Sequence, residues 1–161
     1  MAAATHAGLL SRLFLKSSRS IDEVCKNAYR LDRKQKLSMV IVDYLSSFSP
    51  PAGGKYETRS REVGAVSREC KALAQRLDCV VLAASQLNRA SKAQARPQLI
   101  HLRDSGECEQ DADGVLLLHR PDHDDDEATA QLLIAKNRWG ELGHIDLTPN
   151  LENHRFDFGA V

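Results

Sequence analysis

The stretch that decides the fold is Leu37-Ser38-Met39-Val40-Ile41-Val42-Asp43. This run is apolar, rich in β-branched residues and too short for a helix, so it predicts a strand. Because its apolar residues are continuous instead of alternating with polar ones, we expect a strand covered on both faces, as in a parallel sheet. Asp43 ends the run, which makes the carboxyl end of this strand the first place to look for chemistry.

Two amphipathic helices and a second strand surround this run. A helix is predicted at about 21–35, where apolar residues recur with helical spacing after the capping-box pair Ser20 and Glu23. The same spacing predicts a second helix at about 59–77, and residues 79–84 form another apolar strand. This order of elements is typical of an α/β protein, in which right-handed crossovers place helices on the sheet faces.

The chain changes character after the second strand. The polar and basic segment 87–103 predicts a surface loop, and helical residues resume near Asp104. Four strand-like segments separated by turns then follow, at 114–119, 130–136, 143–148 and 155–158. We expect a final core strand followed by antiparallel hairpins.

Composition limits the possible function classes. A chain of 161 residues is long enough for one domain. Lys and Arg total 22, as do Asp and Glu, so no overall basic charge indicates a nucleic-acid partner, and any DNA contact must be local. The four cysteines form no C-x-x-C pair, which predicts reduced thiols in a cytoplasmic protein. No apolar run approaches the roughly 18 residues that span a bilayer, so no membrane contact is expected.

The N-terminus allows two interpretations. The first twenty residues contain three Lys or Arg, several Ser and Ala, and no acid, which is the composition of an organelle transit peptide. We favour an ordinary N-terminus, in which residues 1–12 are a leader or disordered segment and a short strand lies around 13–15. The predicted domain then comprises residues 13–161.

Asp43 and Gln86 both terminate apolar strands. In open parallel sheets, ligands bind outside the carboxyl ends of the strands. An acid there can hold the Mg²⁺ of a bound nucleotide, because this hard cation prefers carboxylate and water oxygens. An Asp after a strand is more often a loop or helix cap, so spacing alone leaves both interpretations open.

Two other polar clusters favour ordinary surface roles on spacing alone. Residues 122–127 are acidic or His, but they lack the glycine and the spacing of a calcium loop, which favours a solvated hairpin tip. Lys136 and Arg138 lie two apart on a predicted strand and so point to the same side. Without further information this pair is a solvated face of an edge strand.

Five motifs together resemble those of DnaB-type replicative DNA helicases, and they cover roughly residues 13–158. In order they are Val40-Ile41-Val42-Asp43-Tyr44-Leu45, the helix from Glu57 to Ala74, Ala83-Ala84-Ser85-Gln86-Leu87-Asn88-Arg89, the segment from Leu102 to Asp113, and Lys136-Asn137-Arg138. The resemblance implies a RecA-like, mostly parallel sheet flanked by helices, with C-terminal antiparallel hairpins and an incomplete core. A recombinase-like ATPase or an organellar helicase is the alternative within the same enzyme class.

The resemblance also implies roles at a nucleotide site for ATP and Mg²⁺. Asp43 would hold Mg²⁺ through water, and Gln86 would sense the γ-phosphate and the attacking water. Lys136 and Arg138 would reach the nucleotide of a neighbouring subunit, as a finger that neutralises charge during phosphoryl transfer.

Three further residues match the family's DNA-binding loop. There, Arg103, Asp104 and Gly106 would contact phosphates of single-stranded DNA inside a ring. Without the resemblance, these residues would be a loop-to-helix junction capped by Asp104 or Ser105. The implied partners are single-stranded DNA and identical helicase subunits in a hexamer.

The sequence contains no G-x-x-x-x-G-K-[ST] loop, whose backbone N–H groups and lysine hold nucleotide phosphates. Gly53-Gly54-Lys55-Tyr56 is no substitute, because Ser49 replaces the first glycine and the segment follows the Asp43 strand. We therefore expect a fragment, a split gene product or a degenerate relative of an ATP-dependent helicase, without ATP turnover of its own. The alternative is a non-catalytic chain that assembles with a full-length helicase ring and regulates it.

Overall fold

The structure is a computed structural model that describes residues 12–87, 96–102, 106–121 and 129–158. Three α-helices and six strands lie within these ranges. In chain order they are α1 (Ile21–Asp32), β1 (Met39–Val42), α2 (Arg59–Leu77), β2 (Val80–Ala83), α3 (Gly106–Asp111), β3 (Gly114–His119), β4 (Ala130–Asn137), β5 (Gly143–Asn150) and β6 (Arg155–Phe158). Short 3-10 helices occur at Leu45–Ser47, Leu99–His101 and Leu151–Asn153.

Strands β1 and β2 form a two-stranded parallel sheet, with Met39 opposite Val80 at its start. Helix α2 makes the crossover that parallel pairing requires. On one face of this sheet, Val42 is only 1% exposed and belongs to the same buried cluster as Ile21 of α1 and Val66 of α2. Both helices therefore cover the same face.

The opposite face of the parallel sheet is open to solvent. Its apolar residues are about half exposed: Met39 49%, Ile41 63%, Val80 55% and Leu82 48%. The prediction of a strand covered on both faces is therefore wrong for these residues. The reason is that α1 and α2 lie on one side, so the two-residue period of a strand turns every second side chain to the uncovered side.

Strands β3, β4, β5 and β6 form a separate antiparallel sheet in that order. Leu117 of β3 lies opposite Leu133 of β4, and both are buried against Leu87, Leu99 and Leu102. The predicted surface loop 87–103 is thus anchored to this sheet at both ends, where Leu87 and Leu102 form an antiparallel bridge. Strand β3, expected as a final core strand, pairs with β4 and with neither strand of the parallel sheet in the described part of the chain.

Helix α1 begins where the sequence predicts but is capped differently. The Ser20 hydroxyl accepts a hydrogen bond from the backbone N–H two residues on, over 3.2 Å. Glu23, expected to complete a capping box, instead accepts a hydrogen bond from the Ser18 hydroxyl over 2.9 Å. The helix ends at Asp32, earlier than predicted, and the Asp32 carboxylate accepts from the backbone N–H of Leu37 over 2.9 Å.

The N-terminal segment forms no strand at residues 13–15, where Leu15 is 83% exposed. Instead, Ser20 and Ser49 form an isolated parallel bridge, which holds the start of α1 beside the loop that follows β1. Residues 1–11 and the acidic cluster 122–127 lie outside the described residues.

Candidate functional site

Asp43 and Gln86 follow neighbouring parallel strands at the same edge of the sheet. Backbone hydrogen bonds continue the pairing past the strand ends: Ala84 donates to the carbonyl of Val42, and Leu45 donates to the carbonyl of Ala84, each over 2.9 Å. The structure therefore brings the two residues predicted for nucleotide binding to one place.

Both side chains are exposed, and the peptide bond between Asp43 and Tyr44 is cis. Within the described ranges, no hydrogen bond or ion pair engages the Asp43 carboxylate, and no group of three or more His, Cys, Asp or Glu could hold a metal ion. A single unengaged carboxylate fits a supporting ligand of Mg²⁺, whose other oxygens would come from water and from nucleotide phosphates. It does not make a metal site by itself.

Lys136, the first of the two predicted finger residues, lies near the end of β4 and contacts helix α3. Its Nζ donates to the carbonyl oxygens of Glu109 and Gln110, over 2.5 and 3.4 Å. These carbonyls belong to the last turn of α3, where they have no partner within the helix. An ammonium group placed there is favourable for the helix end and fixes α3 against β4.

Arg138 lies one residue beyond β4, so the expectation that it shares a strand with Lys136 is wrong in detail. It contacts Asp113 twice. The guanidinium Nη1 lies 2.9 Å from Asp113 Oδ1, and the Arg138 backbone N–H donates to the Asp113 carbonyl over 2.9 Å. Both finger residues nevertheless contact the segment 109–113, because the chain leaving β4 turns back along it.

Asp113 also pairs with a residue of helix α2. Its Oδ2 accepts from Lys71 Nζ, and both side chains are largely shielded, at 29% and 26% exposure. A further ion pair, between Arg68 and Glu107, joins α2 to α3. Sequence reasoning assigns no role to Asp113 or Lys71, although both lie inside the helicase-like motifs, because nothing local indicates a contact 42 residues apart.

Of the three residues predicted to contact DNA, the structure describes one. Gly106 is the first residue of α3, which begins two residues later than the helix expected from Asp104. Arg103 and Asp104 lie outside the described residues.

The four cysteines are free thiols, as predicted. Burial raises the pKa of Cys70 to about 12, and the neighbouring Cys25 and Cys108 raise it further. Burial is also the main cause of the raised pKa values of Cys25, Cys108 and Cys79. These groups are protonated and packed, so they do not serve as nucleophiles or metal ligands.

A family model described as "DnaB-like helicase C terminal domain" matches residues 5–158. The replicative DNA helicase DnaB of Mycobacterium leprae is 41% identical over 140 residues, which are 83% of this chain and 23% of that protein. The DnaB of Haemophilus influenzae is 36% identical over 156 residues, which are 91% of this chain and 33% of that protein. This chain thus spans about a quarter to a third of these relatives. Both are bacterial, which does not support an organelle transit peptide.

Solved structures give the same result. A DnaB-like replicative helicase, studied for its interactions with primase, matches with a TM-score of 0.80 and 32% identity over 95% of this chain and 40% of that one. A second solved structure, of an isolated ATPase domain, matches with a TM-score of 0.80 and 33% identity over 91% of this chain and 54% of that one.

No helix in the described ranges is long and apolar enough to cross a membrane. The family match covers nearly the whole sequence, and the two solved structures share its architecture. The chain belongs to the DnaB-like helicase C-terminal domain family and has its RecA-like fold, with the parallel sheet, helices and antiparallel sheet that the sequence predicted.

Proposed function

We propose that this chain acts as part of an ATP-dependent replicative DNA helicase, to which it contributes nucleotide sensing and a finger for the neighbouring subunit. The observation that carries the proposal is the pairing of β1 with β2, which brings Asp43 and Gln86 to the same carboxyl edge. An acid and an amide at that edge suit a magnesium-bound triphosphate.

On this proposal, Asp43 holds the Mg²⁺ of bound ATP through water. Gln86 hydrogen-bonds the γ-phosphate and the attacking water, since an amide can both donate and accept. Phosphates also need the backbone N–H groups and lysine of a glycine-rich loop, which this sequence lacks. The site is therefore complete only with residues that this sequence does not contain.

The finger is proposed to be Arg138, with Lys136 as its support. The Arg138 side chain is 48% exposed, and its contact with Asp113 uses one of several guanidinium N–H groups, so others can reach a phosphate. Lys136 is less available because its ammonium is held by two carbonyls of α3. A guanidinium that reaches a neighbour's γ-phosphate stabilises the charge of phosphoryl transfer.

The remaining proposed contacts are with single-stranded DNA and with other subunits. Arg103, Asp104 and Gly106 would grip DNA phosphates inside a ring of six identical subunits. Because the chain has no net charge, DNA binding would depend on this local segment and on the number of subunits that present it.

Mixed rings test this proposal most sharply. A complete DnaB-type helicase whose own finger arginine is replaced by alanine has intact phosphate loops but no finger. Adding this chain would place Arg138 beside an intact site on the next subunit. We expect ATP hydrolysis to rise above the rate of the finger-deficient helicase alone, because a finger contributes roughly a thousandfold or more in rate.

Two variants serve as matched arms of that experiment. Arg138→Ala should abolish the recovery, whereas Asp43→Asn should leave it, because Asp43 serves only the site that lacks a phosphate loop. Recovery that survives Arg138→Ala, or no recovery when co-sedimentation shows the chain in the ring, would overturn the proposal.

A second candidate is a non-catalytic chain that enters a helicase ring and regulates it. The exposed apolar face of the parallel sheet favours it, since Ile41 and Val80 remain more than half exposed. This candidate predicts that the chain changes the activity of an intact helicase equally with or without Arg138.

A further inference from the structure

We infer that Asp113 is a positioning residue for the finger and that, through Lys71, it ties the position of Arg138 to helix α2. This inference rests on the proposed function, because it describes how the proposed finger is held. It assigns a role to a carboxylate that would contact neither nucleotide nor DNA.

Asp113 and Arg138 are joined by a double contact. The ion pair between Nη1 and Oδ1 fixes the end of a long side chain, and the hydrogen bond between the main chains, also 2.9 Å, fixes its root. An exposed arginine otherwise loses much rotamer entropy when it binds a phosphate. Holding it beforehand lowers that entropy cost.

Asp113 also lies between two cations. Lys71 takes one oxygen of the carboxylate and Arg138 the other. Without the negative charge, these two cations would face each other across a partly shielded space, and the guanidinium would move toward solvent. The carboxylate therefore determines where Arg138 lies as well as its charge environment.

Lys71 connects this pair to the helix of the sheet crossover. Helix α2 is the crossover from β1 to β2, and Asp43 and Gln86 follow those two strands. The Arg68–Glu107 pair joins the same helix to α3. A shift of α2 against the sheet would thus be passed through Lys71 and Asp113 to Arg138, which connects the sheet edge of one subunit with the finger it offers to the next.

The contact itself is tested on the full chain, labelled with ¹⁵N at arginine. The Arg138 side-chain signal is identified by its loss in Arg138→Lys. In the unaltered chain we expect slow rotation of the guanidinium and separate Nη signals, as for an ion-paired arginine. Asp113→Asn should make the signal that of a free guanidinium, whereas an unchanged signal would overturn the inference.

The positioning role is tested in the mixed rings. We expect Asp113→Asn to lower the maximal ATPase rate of the rings about ten- to a hundredfold without changing the KM for ATP, as for a misplaced catalytic group. The matched control is Asp157→Asn, which removes another exposed carboxylate paired with an arginine, Arg155, at 3.1 Å. It should leave the rate unchanged.

Further variants separate a positioning role from its rivals. If Asp113→Asn does not fold, Asp113→Glu keeps the charge and should retain the restricted Arg138 signal and part of the rate. A higher rate with Asp113→Asn would mean that the carboxylate restrains the finger, and would overturn a positioning role. If the unaltered chain gives no recovery in the rings, the proposed function fails, while the Arg138 signal still decides whether Asp113 holds the guanidinium.

Discussion

The carbonyl oxygen of Val42 accepts a hydrogen bond from the backbone N–H of Ala84 over 2.9 Å. This bond lies just beyond the paired strands and keeps the segments with Asp43 and Gln86 side by side. The edge that results offers a carboxylate and an amide to a nucleotide, but the sequence supplies no glycine-rich loop for the phosphates. Sensing and gripping of phosphates are thus separated in this chain.

The first prediction is that the purified chain alone hydrolyses no ATP above background. Asp43 can support a metal ion, but nothing in this sequence matches the loop that binds the triphosphate. Phosphate release measured with Mg²⁺ and ATP checks this. Hydrolysis by the chain that disappears in Asp43→Asn would contradict the prediction.

The second prediction concerns the core between α1 and α2. Leu73 of α2 is fully buried, so Leu73→Ala should lower the free energy of unfolding by about 2–5 kcal/mol, through lost burial and the cavity it leaves. Leu13→Ala is the matched control, because Leu13 is 53% exposed and should change little. Urea denaturation followed by circular dichroism measures both, and equal effects would show that α2 does not pack as described.

The third prediction is a loss of stability at alkaline pH. Burial raises the pKa of Cys70 to about 12 in the folded chain, above its ordinary value of 9.0. Between these values the unfolded chain ionises the thiol while the folded chain keeps its proton. Stability should therefore fall as pH rises above about 9, by at most about 1.4 kcal/mol per pH unit from this group, and be unaffected by it below.

Urea denaturation at about pH 8 and about pH 10.5 checks this dependence. Cys70→Ala should flatten it, although it also lowers stability at both pH values. Cys79→Ala is the control, since that thiol is less buried and should contribute less. An unchanged pH dependence in Cys70→Ala would show that the thiol is not shielded as described.

The fourth prediction is that the open face of the parallel sheet makes the chain associate. Ile41 is 63% exposed beside three other half-exposed apolar residues, so Ile41→Lys should reduce self-association in sedimentation velocity. Leu15→Lys is the control, because Leu15 is even more exposed but lies outside the sheet. If both substitutions reduce association equally, general solubility and not this face would be responsible.

Local signals predicted the helices and strands well. Helix α2 occupies the predicted residues because Thr58 caps its start, accepting from the backbone N–H of Arg61 over 3.3 Å, and Asp78 ends it in a left-handed conformation. The exposure of Ile41 could not be predicted, because a continuous apolar run gives no information on which neighbours are present. The pairing of β3 depends for the same reason on tertiary contacts.

The site was predicted in part. The strand ends identified Asp43 and Gln86, since the carboxyl edge of a parallel sheet follows from strand order alone. The contact between Arg138 and Asp113 could not be predicted, because it joins residues 25 apart across a turn whose geometry the spacing does not determine. The family resemblance named the cation but not the carboxylate that holds it.

The central claim is that Arg138 of this chain serves the nucleotide of a neighbouring subunit. The most direct measurement is an electron cryo-microscopy structure of the mixed ring with Mg²⁺, ADP and a planar phosphate analogue. We predict Arg138 nitrogen atoms at hydrogen-bond distance, about 3 Å, from the analogue in the adjacent finger-deficient subunit, with Asp113 still bound to the same guanidinium. A ring that contains the chain but leaves Arg138 distant from every nucleotide would contradict the claim.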